Sequence, residues 1–318
     1  MNKLKYKIAF CGIGSIGKRH IKNIVLYLKQ QDCEYTIDAI RHDNAGKIDL
    51  EIKNYISDIY SYDDELSDDY DIIFVTNPTA RHYSTIKKYA KYTINMFIEK
   101  PVFDETDYDI NALDLKNSGI YYVACPLRYT NVIKYISENV NCGEAYSVRC
   151  ICSSYLPDWR PGTDYRNTYS AHKNMGGGVA IDLIHEWDYL TYLFGCPEKV
   201  MHITGKYSNL EIDSDDLAVY IGKTRNKIIE LHLDYFGRKN IREFEIFLPD
   251  DTVKADLTEG KITYLKSGRI IDLSETRNDY QMREIEHFFD IINGICSNDN
   301  DIYKALQTLK IAKGDYLY

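Results

Sequence analysis

The sequence predicts an α/β chain in two parts. Residues 1–124 read as a doubly wound parallel sheet, and residues 125–318 as an α+β domain with a mainly antiparallel, open sheet. Three observations carry this. The strand-like run Tyr6-Lys7-Ile8-Ala9-Phe10-Cys11 enters the glycine turn Gly12-Ile13-Gly14-Ser15-Ile16-Gly17 and then a helical pattern. Strand and helix patterns alternate as far as residue 124, which implies parallel strands joined by right-handed crossovers. Beyond about Cys125, strand follows strand with few helices between them, the pattern of an antiparallel sheet.

Taken in order, Ile21, Ile24, Val25 and Leu28 recur at helical spacing after the glycine turn. Residues 35–40 read as a second strand. Asp71-Ile72-Ile73-Phe74-Val75 is a short buried strand ending in the turn Thr76-Asn77-Pro78, and a helix follows with Tyr83, Ile86 and Ala90 on one face. The next strand, 93–98, stops at Glu99-Lys100-Pro101. A helix from about Glu105 then leads to a strand over 120–124. Ligands of such sheets gather at the C-terminal strand ends, so Gly12, Arg41, Asn77, Lys100 and Pro126 should converge on one crevice. In the second part, alternation predicts strands at 145–153, 200–205, 217–221, 227–234, 242–247 and 252–257. One helix, 181–194, interrupts them. Another, 280–296, precedes the polar turn Ser297-Asn298-Asp299-Asn300 and a last helix.

Composition narrows the function classes. With 318 residues, 44% of them hydrophobic, the chain can bury a sizeable core. A mean hydropathy of −0.40 and the lack of a long apolar run argue against a membrane span. The N-terminus enters a strand almost at once, so no signal peptide and a cytoplasmic location are expected. A net charge of −9 with no long basic cluster gives no footprint for nucleic acid. The eight cysteines are scattered, and only Cys150 and Cys152 lie close together. No suitably spaced histidine joins them, so no metal site is expected and most are read as small core thiols.

The chemistry begins at the glycine turn. In a strand–turn–helix, the first glycine permits the tight turn, the second lets backbone N–H groups approach a pyrophosphate, and the third lets helix and strand pack closely. The helix N-terminus then offers unpaired N–H groups to the anion. The second strand ends at Arg41-His42, where an NAD-selective site often carries an acid for the ribose 2′-OH. Arg41 can instead pair with a 2′-phosphate, so NADP is the expected cofactor, while Asp43 nearby leaves NAD open. Lys100, partly desolvated at a strand end, can share or lose a proton beside an alcohol becoming a ketone. Glu99-Lys100-Pro101 alone also fits a surface lysine before a proline turn. A second constellation is Gly176-Gly177-Gly178 followed by Asp182, His185 and Glu186, where i, i+3 and i+4 spacing would place Asp182, His185, Glu186 and Tyr189 on one helix stripe. An imidazole beside a carboxylate is a proton acceptor for an alcohol during hydride transfer. A polar stripe with a structural histidine is the other reading.

Together these motifs resemble the glucose–fructose oxidoreductase / inositol dehydrogenase (Gfo/Idh/MocA) family. The resemblance rests on the glycine turn followed by Lys18-Arg19-His20, on Asn77-Pro78 with His82, on Glu99-Lys100-Pro101, on Arg128-Tyr129, and on the triple glycine before an Asp/His helix. It implies an N-terminal Rossmann domain, a C-terminal sheet used for oligomerisation, here as a homodimer or homotetramer, and NAD(P)-dependent oxidation or reduction of sugars and related polyols. It also implies that Lys100 and His185 flank the reacting carbon with Asp182 assisting, although many relatives space the aspartate four residues before the histidine and here it is three. Cofactor contacts are expected from Gly12, Ile13, Gly14, Ser15, Ile16, Gly17, Arg41, His42, Asn77, Pro78, His82, Glu99, Lys100, Trp159 and Arg160.

Substrate contacts are expected from Lys100, Arg128, Tyr165, Arg166, Asp182 and His185. Arg128, Arg160 and Arg166 would give the cleft local positive charge, which suits a sugar nucleotide or an acidic or amino sugar, or they only pair with Asp158, Asp164 or the cofactor phosphates. The segment 153–194 is similar to a branch of the family associated with nonulosonate and surface-polysaccharide sugars. Cys125-Pro126 is either part of the nicotinamide pocket or structural, and Tyr280 either reaches the site or packs. A redox-neutral enzyme using bound NAD and a non-catalytic dinucleotide-binding regulator are the two rival functions.

Overall fold

The computed structural model describes residues 3–42, 46–66 and 69–315, which fall into two compact units. The first begins with β1 (Lys5–Cys11), α1 (Ser15–Gln30), β2 (Glu34–Arg41), the single turn α2 (Leu50–Lys53), β3 (Ile59–Ser61), β4 (Ile72–Val75), α3 (His82–Tyr89), β5 (Asn95–Ile98) and β6 (Ile120–Val123). Its six strands are parallel, in the order β3-β2-β1-β4-β5-β6. Every residue of β4 and β5 is buried, which is why these strands read as continuous apolar runs without alternation. α1 buries Ile21, Ile24, Val25 and Leu28. The strand order reverses beside β1, which opens a crevice at the C-terminal ends of β1 and β4.

The helix expected from about Glu105 does not form. That stretch holds only a 3-10 turn, Ile110–Leu113, in which Asp109 accepts from the Asn111 N–H at 2.9 Å. Asp109 captures a backbone donor with its side chain, and Asp104 accepts from the Tyr108 hydroxyl at 3.0 Å, local bonds that favour a turn over a helix.

The second unit contains α4 (Asn131–Asn139), β7 (Ser147–Tyr155), α5 (Val179–Asp182), α6 (His185–Phe194), β8 (Lys199–Gly205), β9 (Leu217–Lys223), β10 (Ile228–Asp234), β11 (Phe236–Phe247), β12 (Thr252–Asp256), β13 (Lys261–Tyr264) and β14 (Ile270–Asp272). The sheet order is β14-β13-β12-β11-β7-β10-β9-β8, antiparallel throughout except for the parallel pair β7–β10. Alternate residues of β9, β10 and β7 are buried, Cys150 and Cys152 among them on one face. The sequence pattern missed β13, β14 and the first half of β11, where the register shifts between Phe236 and Ile241.

Two helices close the chain, α7 (Arg277–Ile292) and α8 (Ile302–Lys313). The contiguous division at residue 124 needs correction here, because residues 281–306 belong with the first unit. Aromatic packing explains it. Phe288 meets Phe97 edge-on at 5.3 Å, and Phe289 stacks on Tyr27 at 4.4 Å.

Candidate functional site

In the first unit a cavity of about 340 Å³ lies at the ends of β1, β2 and β4, lined among others by Gly12, Ile13, Gly14, Arg41, His42 and Asn77. The glycines divide the labour as the turn requires. Gly12 has φ of +96°, and a Cβ there would sit 2.7 Å from the Asn77 Cα. A Cβ on Gly17 would collide with the Gly12 carbonyl. A Cβ on Gly14 would meet no atom within 4 Å, so this glycine faces open space. Asn77 donates to the Thr85 hydroxyl at 2.7 Å, while its Oδ1 is buried without a hydrogen-bond partner. The Arg41 guanidinium donates to the Gly46 carbonyl, and its Nε is likewise buried without a partner. His42 stacks on Tyr62 at 5.1 Å.

These residues fit a dinucleotide. A glycine-walled opening stands at the N-terminus of the 16-residue α1, which has no side-chain cap, and Asn77 and Arg41, each with an unsatisfied buried polar atom, line the same cavity. Pro78 also lines the cavity, whereas Ser15 and Ile16 form the first turn of α1. Asp43 lies outside the described residues.

Two of the expected cofactor contacts, His82 and Glu99, are hydrogen-bonded into the turns around them. His82 is buried, with Nδ1 3.0 Å from the Pro101 carbonyl and Nε2 3.0 Å from the Asn77 carbonyl, so it ties the turn after β4 to the turn after β5. Burial pulls its pKa below the ordinary 6.5, against those hydrogen bonds and the charge of Glu99. Glu99 sits 2.5 Å from His20 Nε2 and accepts from the Lys100 N–H at 3.2 Å. Burial pushes this carboxyl up, yet His20, Lys100 and His82 together hold it below the usual range. Neither His82 nor Glu99 lines the cavity. Lys100 follows β5 at the same edge of the sheet, half-buried.

In the second unit the expected helix 181–194 is two pieces. Val179–Asp182 is a single turn, Leu183 leaves helical geometry at φ −98° and ψ 30°, and α6 begins at His185. Separate anchors explain the break. The Asp215 carbonyl accepts from the Val179 N–H at 3.0 Å, and its carboxylate accepts from Ala180 N–H at 3.1 Å. α6 is held by two buried ion pairs: Arg242 Nε lies 2.7 Å from Glu186, and Arg128 Nη2 lies 2.6 Å from Asp188. Glu186 and Tyr189 are therefore core residues and not part of a solvent stripe. His185 stands half-buried at the head of α6.

Asp182 is buried and accepts from the Tyr235 hydroxyl at 2.5 Å. Burial and the Asp182 charge push both the Tyr235 and the Tyr169 phenols up, so each stays a donor. Asp215 is raised too, first by burial and then by Asp182. Trp159 meets Tyr235 edge-on at 5.2 Å and donates to Ser154 at 2.9 Å, and Arg160 lies over Tyr169 at 5.2 Å.

Two of the three expected cleft arginines have carboxylate partners. Arg128 is buried and bidentate on Asp188, at 3.0 and 2.6 Å, and Arg166 is bound by Asp164 at 2.8 Å and Glu211 at 3.0 Å. Tyr165 accepts from the Glu211 N–H at 3.2 Å. Arg160 and Arg238 instead rest on aromatic rings, Arg238 at 3.8 Å over Tyr155, and neither has a carboxylate partner among the described residues. Sequence reading missed Tyr235, Asp215 and Arg238, which nothing local marks. His20 was findable, because it shares the buried helical stripe of Gly17, Ile21 and Ile24.

Residues 6–114 match the oxidoreductase family with an NAD-binding Rossmann fold, Gfo/Idh/MocA, and residues 154–246 match the C-terminal α/β domain of that family. The chain is 31% identical over 293 residues to the uncharacterized oxidoreductase YrbE of Bacillus subtilis, covering 87% of this chain and 79% of that protein. Among solved structures, levoglucosan dehydrogenase in complex with NADH and levoglucosan has a similar fold, with TM-score 0.78 and 16% identity over 97% of this chain and 95% of that one. So does the WlbA dehydrogenase of Bordetella pertussis in complex with NADH and UDP-GlcNAcA, with TM-score 0.74 and 16% identity over 99% and 96%. The glycine turn, the parallel sheet that positions it and the extended likeness to YrbE lead to one conclusion: this chain belongs to the Gfo/Idh/MocA oxidoreductase family.

Proposed function

We propose that this protein moves hydride between NADP(H) and a carbohydrate hydroxyl or carbonyl, with Lys100, His185 and Asp182 managing the hydroxyl proton. The observation that carries the reading is the glycine-walled cavity, where Gly14 faces open space and which Asn77 and Arg41 also line. When bound, the nicotinamide supplies the hydride acceptor or donor. Lys100 and His185 take up or return the O–H proton, since hydride leaves an alcohol only as that proton is removed. Asp182, held by Tyr235, orients and assists. The Arg41 fork favours a 2′-phosphate over a bare ribose.

For the substrate, a sugar nucleotide or an acidic or amino sugar is the reading supported by Arg160 and Arg238, whose guanidinium edges carry no carboxylate. The UDP-GlcNAcA bound by WlbA is of that chemistry; the levoglucosan of the other relative is not. The protein works in the cytoplasm as a homodimer or homotetramer assembled through the second unit's sheet.

The test is a panel of free sugars, inositols, amino sugars and nucleotide sugars, assayed with both nicotinamides on wild type, Lys100→Ala and His185→Ala. Turnover should fall by about 10²–10⁴-fold in each variant while cofactor affinity changes little. Near-normal turnover in both variants would refute the proton assignment. Product without net oxidation would favour a redox-neutral enzyme.

A further inference from the structure

The geometry points to Lys47 and Arg81 as specificity-determining residues, a second pair of cations that clamps a phosphate monoester on the cofactor's adenosine ribose. This rests on the reading that the first unit's cavity holds a dinucleotide. Its charged lining consists of Lys18, Arg41, Lys47 and Arg81, and no aspartate or glutamate lines it among the described residues. Lys18 is already paired with Asp49 at 2.6 Å. Arg41 is steadied by the Gly46 carbonyl and keeps a buried, unpartnered Nε. Lys47 and Arg81 have no carboxylate partner among the described residues.

The cations come from two separate segments. Arg41 ends β2 and Lys47 follows in the next loop, while Arg81 closes the 3-10 turn Thr79–Arg81 that leads into α3. Arg41, Lys47 and Arg81 are like charges around one cavity with no carboxylate lining it among the described residues, so an anion among them relieves their mutual repulsion. The pyrophosphate is served by the glycine turn and the head of α1. An unphosphorylated ribose would offer neutral hydroxyls, which leave these cations nothing to neutralise. A phosphate monoester carries about −1.5 to −2 charges near neutral pH and accepts the bidentate bonds that arginine forms.

Equilibrium binding of NADPH and NADH, followed by calorimetry, tests this on wild type, Lys47→Met, Arg81→Met and the double variant. Lys22→Met, on the exposed side of α1, controls for net charge. Adenosine 2′,5′-bisphosphate and AMP serve as probes without a nicotinamide. Each single variant should weaken NADPH and the bisphosphate about 10-fold or more, leave NADH and AMP within about twofold, and flatten the salt dependence of NADPH binding. Equal losses for both dinucleotides would overturn the inference, since the residues would then touch parts the two cofactors share. So would unchanged NADPH affinity in the double variant. Failure of wild type to bind either dinucleotide would instead remove the cofactor reading, and the inference with it.

Discussion

At the residue scale, three glycines of one turn have three different reasons to be glycine, and substitution separates them. Gly12 carries a positive φ and lies against the Asn77 backbone, so any side chain there strains the fold itself. Gly14 has neither constraint, and a side chain there would project into open space that the proposed cofactor needs. Gly12→Ala should therefore cost roughly 2–4 kcal/mol in denaturant unfolding, from strain plus steric overlap. Gly14→Val should unfold within about 1 kcal/mol of wild type yet weaken dinucleotide binding at least about 10-fold. If Gly14→Val bound NADPH normally, the cavity would not be the cofactor's. The motif announced its turn and its ligand class; that Gly14 alone faces open space depended on where Asn77 came to lie.

At the element scale, α5 and α6 show why helical periodicity misled. The spacing of Asp182, His185, Glu186 and Tyr189 is sound for a continuous helix, but α5 is pinned by Asp215 and α6 by two buried ion pairs. Anchors distant in sequence overrode local propensity, and no window of residues 181–194 contains them. The Arg128–Asp188 pair ties the turn Pro126–Tyr129 to the second half-turn of the helix headed by His185. Arg128→Met would remove the guanidinium from buried Asp188, and should destabilise the protein by about 3–5 kcal/mol in urea titration. Adding Asp188→Leu should recover much of that loss, since the buried carboxylate is then gone. A loss below about 1 kcal/mol in the single variant would show that the pair does not anchor α6.

At the scale of the whole molecule, each unit has a sheet with a different relation to solvent. The first has its strands β4 and β5 buried on both faces. The second leaves one face open along β8 and β9, where Met201 is 60% exposed, Ile203 63% and Ile221 43%. Met201 and Ile221 are register partners, and Ile203 lies on the same face. If this face assembles copies of the chain, light scattering should give a dimer or tetramer for wild type at micromolar concentration, and Met201→Glu with Ile203→Glu should lower that mass. A wild-type monomer would refute assembly through this sheet.

The sequence by itself determined the glycine turn and its helix, the parallel order implied by alternating strands, the break in texture after residue 124, and the candidate residues Lys100, Asp182 and His185. These are local signals: periodicity, turn chemistry and motif spacing within a few tens of residues. Only the tertiary structure decided that residues 281–306 return to the first unit, that Arg128 and Arg166 are already neutralised, and that Tyr235 holds Asp182. It also brought Lys47 and Arg81 to one cavity with Arg41. Those outcomes depend on which distant side chains meet once apolar surface is buried, and on which buried charge finds which partner. A linear pattern records that a residue is charged or aromatic, whereas the fold alone selects the group it faces.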